Sequence, residues 1–464
     1  MVPSNINEWP LKPLSEVVDL NPRLDKSAFR DNLEISFVPM AAVEAGSGHI
    51  DVSQTKYFSK VKKGYTPFQE NDVLFAKITP CMENGKRAVV PKLTNGLGFG
   101  STEFHVLRPH EGINPRYVYH FVSSQNFRRD AAHRMTGAVG QKRVPQSFLE
   151  KALIPVPLYE EQKLIVAEIE KQFSRLDEAI ASLKRIKANL KRYKAAVLKA
   201  AVEGKLTEEW RKQHPDIEPA SKLLERILAE RRKKWNGKGK YKEPQVSSTA
   251  GLPPLPKAWT YASVEQLGII GEQAVLTGPF GTNLGREDFE ETGIPVLTIS
   301  CLKDSGIDLS KAEHVSKGKA VELERYRLRD GDLLFSRMAA VGRAGIVTGN
   351  LRGSLINYHI MRLRLEPTVL MAQYYLTYVR GSSQVENYIR EVNHGATRDG
   401  INTIQLLNMP VALPPIAEQK EIVAEVERRL SVIDELEATV EANLTRADTL
   451  HQSVLKKAFA GELK

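Results

Sequence analysis

The residues of this 464-residue sequence that could support covalent, metal or acid–base chemistry are two cysteines, ten histidines and a few adjacent carboxylates. Cys81 and Cys301 lie in different halves of the chain, which rules out a disulfide framework and a cysteine-based zinc site. Cys81, in KITPCMENGK, has no identifiable base beside it and reads as a packed thiol. No histidine belongs to an H-E-x-x-H pattern or has a cysteine at metal spacing, so His105, His359 and His394 read as core or surface polar groups. Glu290 and Glu291 read as surface acids. The P-loop pattern is absent. Gly96, Gly98 and Gly100 lead into EFHVL, which reads as a strand, whereas a dinucleotide loop must open a helix; a turn is expected there. No active site is assembled from these residues, and a non-catalytic chain without a metal site or a cofactor of its own is expected.

Charge points to a partner instead. Lysine and arginine number 66 against 56 acids, a net +10, and such an excess suits a polyanion. The first residues, MVPSNINEWP, contain no apolar signal-like run, and no stretch of eighteen apolar residues occurs. A cytoplasmic protein, neither exported nor membrane-spanning, is expected.

The elements that must position any binding residues come in two copies. EEQKLIVAEIE from Glu160 returns as AEQKEIVAEVE from Ala417, an offset of 257 residues between Glu161 and Glu418. At the same offset and without a gap, AVLKAAVEGKL ending at Leu206 returns as SVLKKAFAGEL ending at Leu463. Each copy follows a proline-rich strand exit, and the first has neither proline nor glycine until Gly204, so about 45 residues can form a helix about 65 Å long. In heptad notation Ile169, Leu176, Leu183, Leu190 and Val197 occupy a positions, with Gln172, Ala179, Ile186, Tyr193 and Ala200 at d. Val426, Ile433, Val440, Ala447 and Val454 are the second helix's a positions, with Leu436 and Leu450 among its d positions. Two such stripes predict that the helices pack on each other as a coiled coil.

Upstream the repeat is fainter. NDVLFAK from Asn71 resembles GDLLFSR from Gly331, and Trp9 resembles Trp259. Strand-like runs mix with helical ones in each half, which predicts a duplicated α/β or α+β module. The expected organisation is a first module over 1–157, a helical region over 158–206, a helical patch with a basic, Pro/Gly/Ser-rich linker over 207–256, a second module over 257–413, and a last helical region over 414–464. The basic run from Arg231 to Lys242 reads as solvated linker.

Taken together, these features resemble the specificity subunits of type I restriction-modification enzymes over nearly the whole chain. The resemblance rests on ITPCMENGK (78–86), GSTEFHVLRP (100–109) and GAVGQKRV (137–144) in the first module. In the second it rests on GPFGTNL (278–284), GDLLFSR (331–337) and GATRDGI (395–401), each module ending in the E-Q-K helix start. It implies two target recognition domains held apart by an antiparallel coiled coil, each domain reading one half of a bipartite double-stranded DNA site. It also implies two methylation subunits docked on the helices and restriction subunits joining them. S-adenosylmethionine, ATP and magnesium would belong to those partners.

Within that frame the candidate DNA contacts of the first module are Lys77, Thr79, Glu83, Asn84 and Lys86, because a lysine, a carboxylate and an amide on one turn can read guanine, cytosine and adenine edges. The competing reading is structural: Asn84 and Gly85 make the turn and Glu83 pairs with Lys86. Gln141, Lys142 and Arg143 form a second candidate loop, the basic pair on phosphate. The second module's counterparts are Thr282, Asn283, Arg337, Arg343, Tyr358 and Arg398, where MAAVGRAG replaces the ITPCMENGK segment and lacks its carboxylate and amide, so the two half-sites should differ. Two other classes compete. A single-chain restriction and methylation enzyme would need a D/N-P-P-Y/F motif, which is absent; the other alternative is a non-enzymatic coiled-coil adaptor that binds nucleic acid.

Overall fold

The computed structural model describes residues 9–138, 140–235, 240–281, 283–338, 341–393 and 400–463. They fall into two units, Met1–Ile186 with Val440–Lys464, and Lys187–Thr439.

In the first unit eight strands build two four-stranded sheets: Val18–Leu20 (β1), Glu34–Val38 (β2), Thr55–Tyr57 (β3), Thr66–Gln69 (β4), Val73–Ala76 (β5), Arg87–Val89 (β6), Leu97–Gly100 (β7) and Phe104–Pro109 (β8). One sheet runs β1-β8-β5-β6 and is wholly antiparallel. The other runs β3-β2-β7-β4, with β2 parallel to β7. The run VLFA in β5 is apolar at every position because both of its faces are covered. Val73 and Phe75 join the core under the helices, and Leu74 and Ala76 join the core beneath the second sheet. Those helices are Pro115–Ser123 (α1) and Gln125–His133 (α2), capped by the side chains of Asn114 and Ser124, which accept from Tyr117 N and Phe127 N.

The turn expected at Gly96–Gly100 holds for Gly96, which ends the tight turn Thr94–Gly96 at φ +70°, and is corrected for the other two: Gly98 and Gly100 lie inside β7, paired on both sides. Their missing side chains let neighbours close in. A Cβ on Gly98 would sit 2.1 Å from the Phe68 ring, and one on Gly100 2.4 Å from Val38 O.

The second unit repeats the plan. Val275–Thr277 (β9), Phe289–Glu290 (β10), Ile294–Leu297 (β11), Glu313–Val315 (β12), Leu333–Ser336 (β13), Ala344–Ile346 (β14), Leu355–Ile356 (β15) and Ile360–Leu363 (β16) form sheets ordered β9-β16-β13-β14 and β10-β12-β11-β15. Here too one pair, β11 with β15, is parallel, and the helix Ala372–Gly381 (α5) lies against β14, where Arg380 donates to Ala344 O at 3.2 Å. Asp72 and Asp332, one residue after the left-handed Asn71 and Gly331, each take a two-pronged bond from an arginine on the neighbouring strand or just beyond its end. Arg108 gives 2.9 and 2.8 Å, and Arg364 gives 2.7 and 3.1 Å.

The segment expected as linker is partly built into this unit. Leu223, Leu224 and Ile227 of the helix Ala220–Lys233 (α4) enter the second module's core. The basic run is likewise not all solvated, since Arg231 donates to the carbonyls of Glu265 and Gly268. Further along, Ser247 Oγ donates to Asn408 O at 2.7 Å.

Two helices of 44 residues each serve both units: Tyr159–Val202 (α3) and Ile416–Phe459 (α6). In the first unit the start of α3 packs with the end of α6, with Asp177 3.3 Å from His451. In the second the end of α3 packs with the start of α6, with Lys194 2.8 Å from Asp434. The helices are therefore antiparallel partners. Ile169, Leu190, Val197, Val426, Ile433, Val440 and Ala447 are buried, while Leu176, Leu183 and Val454 are half-buried.

The other half of the seam departs from the expected heptad. Ile186, Tyr193, Leu436 and Leu450, placed at d, are 45–50% exposed. The covered neighbours follow the a positions by four residues, at Phe173, Ile180, Lys194 and Ala201 on α3 and Leu430, Glu437, Leu444, His451 and Ala458 on α6. The period is the same and only the d row is displaced, by one residue; with the a row still covered, the centre of the seam turns by about 50° around the helix.

Both E-Q-K starts carry a buried amide. Gln162 accepts from Asn114 N at 2.9 Å and donates to the carbonyls of Gly112 and Pro157 at 3.2 and 2.9 Å. Gln419, 257 residues on, accepts from Met371 N at 2.8 Å and donates to Val369 O and Pro414 O at 2.8 and 3.0 Å. Each glutamine ties a long helix to its module through backbone groups that would otherwise be buried unpaired. Next to it, Glu418 is fully buried and accepts from Trp259 Nε1 at 2.8 Å, from Thr207 Oγ1 at 2.7 Å and from Arg211. Glu161 instead caps its own helix, accepting from Leu158 N at 3.1 Å.

Candidate nucleic-acid interface

The described candidate residues gather where three segments leave the antiparallel four-stranded sheet of each module. At the end of β5, Lys77 N donates to Glu103 O at 2.9 Å, and Lys77 O accepts from Val144 N at 2.9 Å. In the second module Arg337 N donates to His359 O at 3.0 Å, and Arg337 O accepts from Ile401 N at 2.9 Å. The backbone bonds make Lys77 and Arg337 structural counterparts, and likewise Glu103 and His359, Thr102 and Tyr358.

In the first module the two candidate loops are one surface, because Thr79 N donates to Lys142 O at 2.9 Å. Glu83, Asn84, Gln141 and Lys142 are exposed there, and Lys77 is half-buried. Three others are engaged within the protein. Lys86 Nζ donates to Met40 O at 2.9 Å rather than pairing with Glu83. Thr79 Oγ1 faces Met135 Sδ at 3.8 Å. Arg143 forks onto Glu103 at 2.8 and 2.9 Å, and this bond holds the Glu103 carboxyl below the usual carboxylate range. Arg143 is thus paired within the module, with its side chain still partly exposed. Gly85, at φ +72°, makes the turn. His105 lies behind this surface, its Nε2 2.9 Å from Val144 O, and burial pushes its pKa down.

The second module offers different side chains on the same frame. The Arg337 guanidinium sits 5.7 Å from the centre of the Phe280 ring, and Phe280 stacks on Tyr358 at 6.1 Å and 29°. Both rings are open to solvent, 57% and 37% exposed. Burial, reinforced by Arg337, pushes the pKa of His359 down, which favours a neutral imidazole. Arg343 is exposed, 3.8 Å from Asp304, and Asn283 is exposed with its N–H on Phe280 O at 2.8 Å. Thr282, Arg398 and His394 lie outside the described residues. Phe280 was not among the residues singled out from sequence, although a phenylalanine set between glycines in GPFG is the signal that marks it. Among the described residues no three His, Cys, Asp or Glu side chains come together as a metal-binding group, and no helix is long and apolar enough to cross a membrane.

The model of the type I restriction modification DNA specificity domain matches residues 6–192 and 281–446. The chain belongs to that family. The type I restriction enzyme EcoEI specificity subunit of Escherichia coli is 28% identical, over 96% of this chain and 82% of its own. The EcoKI specificity subunit of Escherichia coli strain K12 is 27% identical, over 98% of this chain and 89% of its own. Among solved structures, the HsdS subunit from Thermoanaerobacter tengcongensis superposes with a TM-score of 0.60 at 19% identity, over 98% of this chain and 97% of that one. A chain from a study of complex assembly and conformational transition of the type I R-M system reaches 0.68 at 22% identity, over 98% of both chains. At these identities the structures speak for the fold. The family makes this chain the DNA specificity subunit of a type I restriction-modification system, the part that selects DNA and is itself non-catalytic.

Proposed function

We propose that the two modules of this specificity subunit read the two halves of a bipartite duplex site, and that α3 and α6 set the spacer and dock two methylation subunits. Restriction subunits join that complex, and S-adenosylmethionine, ATP and magnesium are held by the partners. The observation that carries this reading is the shared frame. Lys77 and Arg337 occupy the same backbone position in both modules, and their neighbours differ in charge and shape. A common scaffold with unlike side chains is what two unlike half-sites require, since base edges are told apart by the donors, acceptors and apolar groups set against them. A helical shaft fixes the separation of two readers, which a flexible linker cannot do.

The test is methylome sequencing of cells expressing the chain with its methylation partner. A new adenine-methylated motif in two parts separated by a fixed spacer is expected. Replacing residues 1–157 with another family member's first module should change one part alone. If the complex assembles and no bipartite motif appears, the reading fails.

A further inference from the structure

The second module carries an aromatic element that reading of base edges does not require. The chain leaves β9 at Gly278, where a Cβ would lie 2.2 Å from Asn357 O, so only glycine lets the loop cross so close to the segment bearing Tyr358. Two residues later Phe280 stands 57% exposed, with Tyr358 stacked on its ring and the Arg337 guanidinium held beside it. Among the described residues two polar atoms next to this pair, Arg337 Nε and His359 Nδ1, are buried without a hydrogen-bond partner. An exposed, pre-stacked ring pair with a guanidinium at its edge presents a flat apolar face beside polar groups, and it matches a ligand that has both a flat apolar face and polar edges. A nucleobase has that combination. The equivalent loop of the first module, Asn21–Asp25, contains no aromatic residue.

We propose that Phe280 is a stacking residue, packing its ring on the face of a DNA base in the half-site contacted by the second module, with Tyr358 as its support and Arg337 as the adjacent cation. The inference rests on the reading that this module binds DNA. Every base has a π-face, so such a contact contributes affinity and opens a base step, and its sequence preference follows the ease of unstacking rather than the pattern of base edges. The second half-site should therefore include a position that tolerates several bases of similar step flexibility.

The experiment uses the full chain in complex with its methylation subunits, on duplexes carrying 2-aminopurine at successive positions of each half-site. Wild type must first protect a bipartite site; failure at this step overturns the DNA-reading proposal itself, and the stacking proposal with it. Given protection, one position in the second half-site should brighten on binding. Phe280→Ala should abolish that signal and weaken binding about five- to 150-fold, the range spanned by loss of one base–aromatic stack. Phe280→Leu should behave like alanine and Phe280→Trp like wild type, with signals in the first half-site unchanged. Thermal melting should be unaltered, because the ring is largely exposed. Full binding and brightening with Phe280→Leu would reduce the contact to apolar bulk, and an unchanged Phe280→Ala would remove it; either result overturns the stacking role.

Discussion

The two modules are closest to one another where they meet the helices and least alike where β5 and β13 end. Gln162 and Gln419 make the same three backbone bonds 257 residues apart, and Asp72 and Asp332 hold equivalent arginines. Over the sheet ends, by contrast, Glu103 faces Arg143 in one module, while His359 adjoins a stacked aromatic pair in the other. The difference separates two jobs. Residues that join a module to the shaft answer to fixed backbone groups and tolerate little change, whereas the outer face answers to whatever each module must contact.

The comparison breaks most sharply at the residue before each glutamine. Glu418→Ala leaves Arg211 and the indole of Trp259 without their buried acceptor, and should cost about 3–5 kcal/mol in chemical denaturation. Glu161→Ala, at a helix start with no arginine partner, should cost about 1 kcal/mol. Equal losses at the two sites would show that the Glu418 network is not what distinguishes the units. Next in size, Gln162→Leu and Gln419→Leu should each lose about 2–3 kcal/mol by orphaning buried backbone groups, and near equality of the two is the point of the measurement. A displaced seam predicts that Leu190→Ala costs about 2–3 kcal/mol and Ile186→Ala under about 1 kcal/mol, read from urea midpoints. The reverse order would restore the heptad with Ile186 inside.

The smallest effects lie at the outer face. Glu103→Gln releases Arg143 and should steepen the salt dependence of DNA binding by about one phosphate contact, a change in slope of about 0.9, followed by titrating affinity against salt. Protonation does the same reversibly. Because Glu103 titrates below its ordinary value, the stability that the pair contributes is complete above the unfolded carboxylate pKa. It is lost as pH falls through the lower folded value. Hydrogen-exchange protection factors over residues 140–144, corrected for the pH dependence of intrinsic exchange, should fall in that acidic range and stay constant above it.

Much of this frame was visible in the residues alone. The gapless 257-residue repeat announced two equal helices, and the family resemblance supplied their antiparallel partnership and the paired recognition domains. The phase of the seam was not visible, since Ile186 and Tyr193 look like core residues while Lys194 looks like surface. Long basic side chains bury their stems and keep their charges in water, so type alone misassigns them. The glycines at 98 and 100 misled for a similar reason: their purpose lies in Phe68 and Val38, about thirty and sixty residues away. Distance in sequence also hid the engagement of Lys86 with Met40 and of Arg143 with Glu103, which ties two candidate contacts to groups of their own module. What stays on the surface in the first module, Glu83, Asn84, Gln141 and Lys142, is the part of that site for which sequence could offer a chemical argument and no geometry.

Because the first unit borrows its last helical stretch from the far end of the chain, its interior closes late. Leu455 and Ala458 of α6 sit in the same core as Leu14, Val73 and Tyr117, whereas the second unit is drawn from one continuous stretch. A ribosome making this protein therefore releases the first module with an open flank, holds it so while the second unit is completed, and supplies the missing wall only with the final turns of α6. Order of synthesis and order of folding run in opposite directions, and the first module to emerge is the last to be sealed.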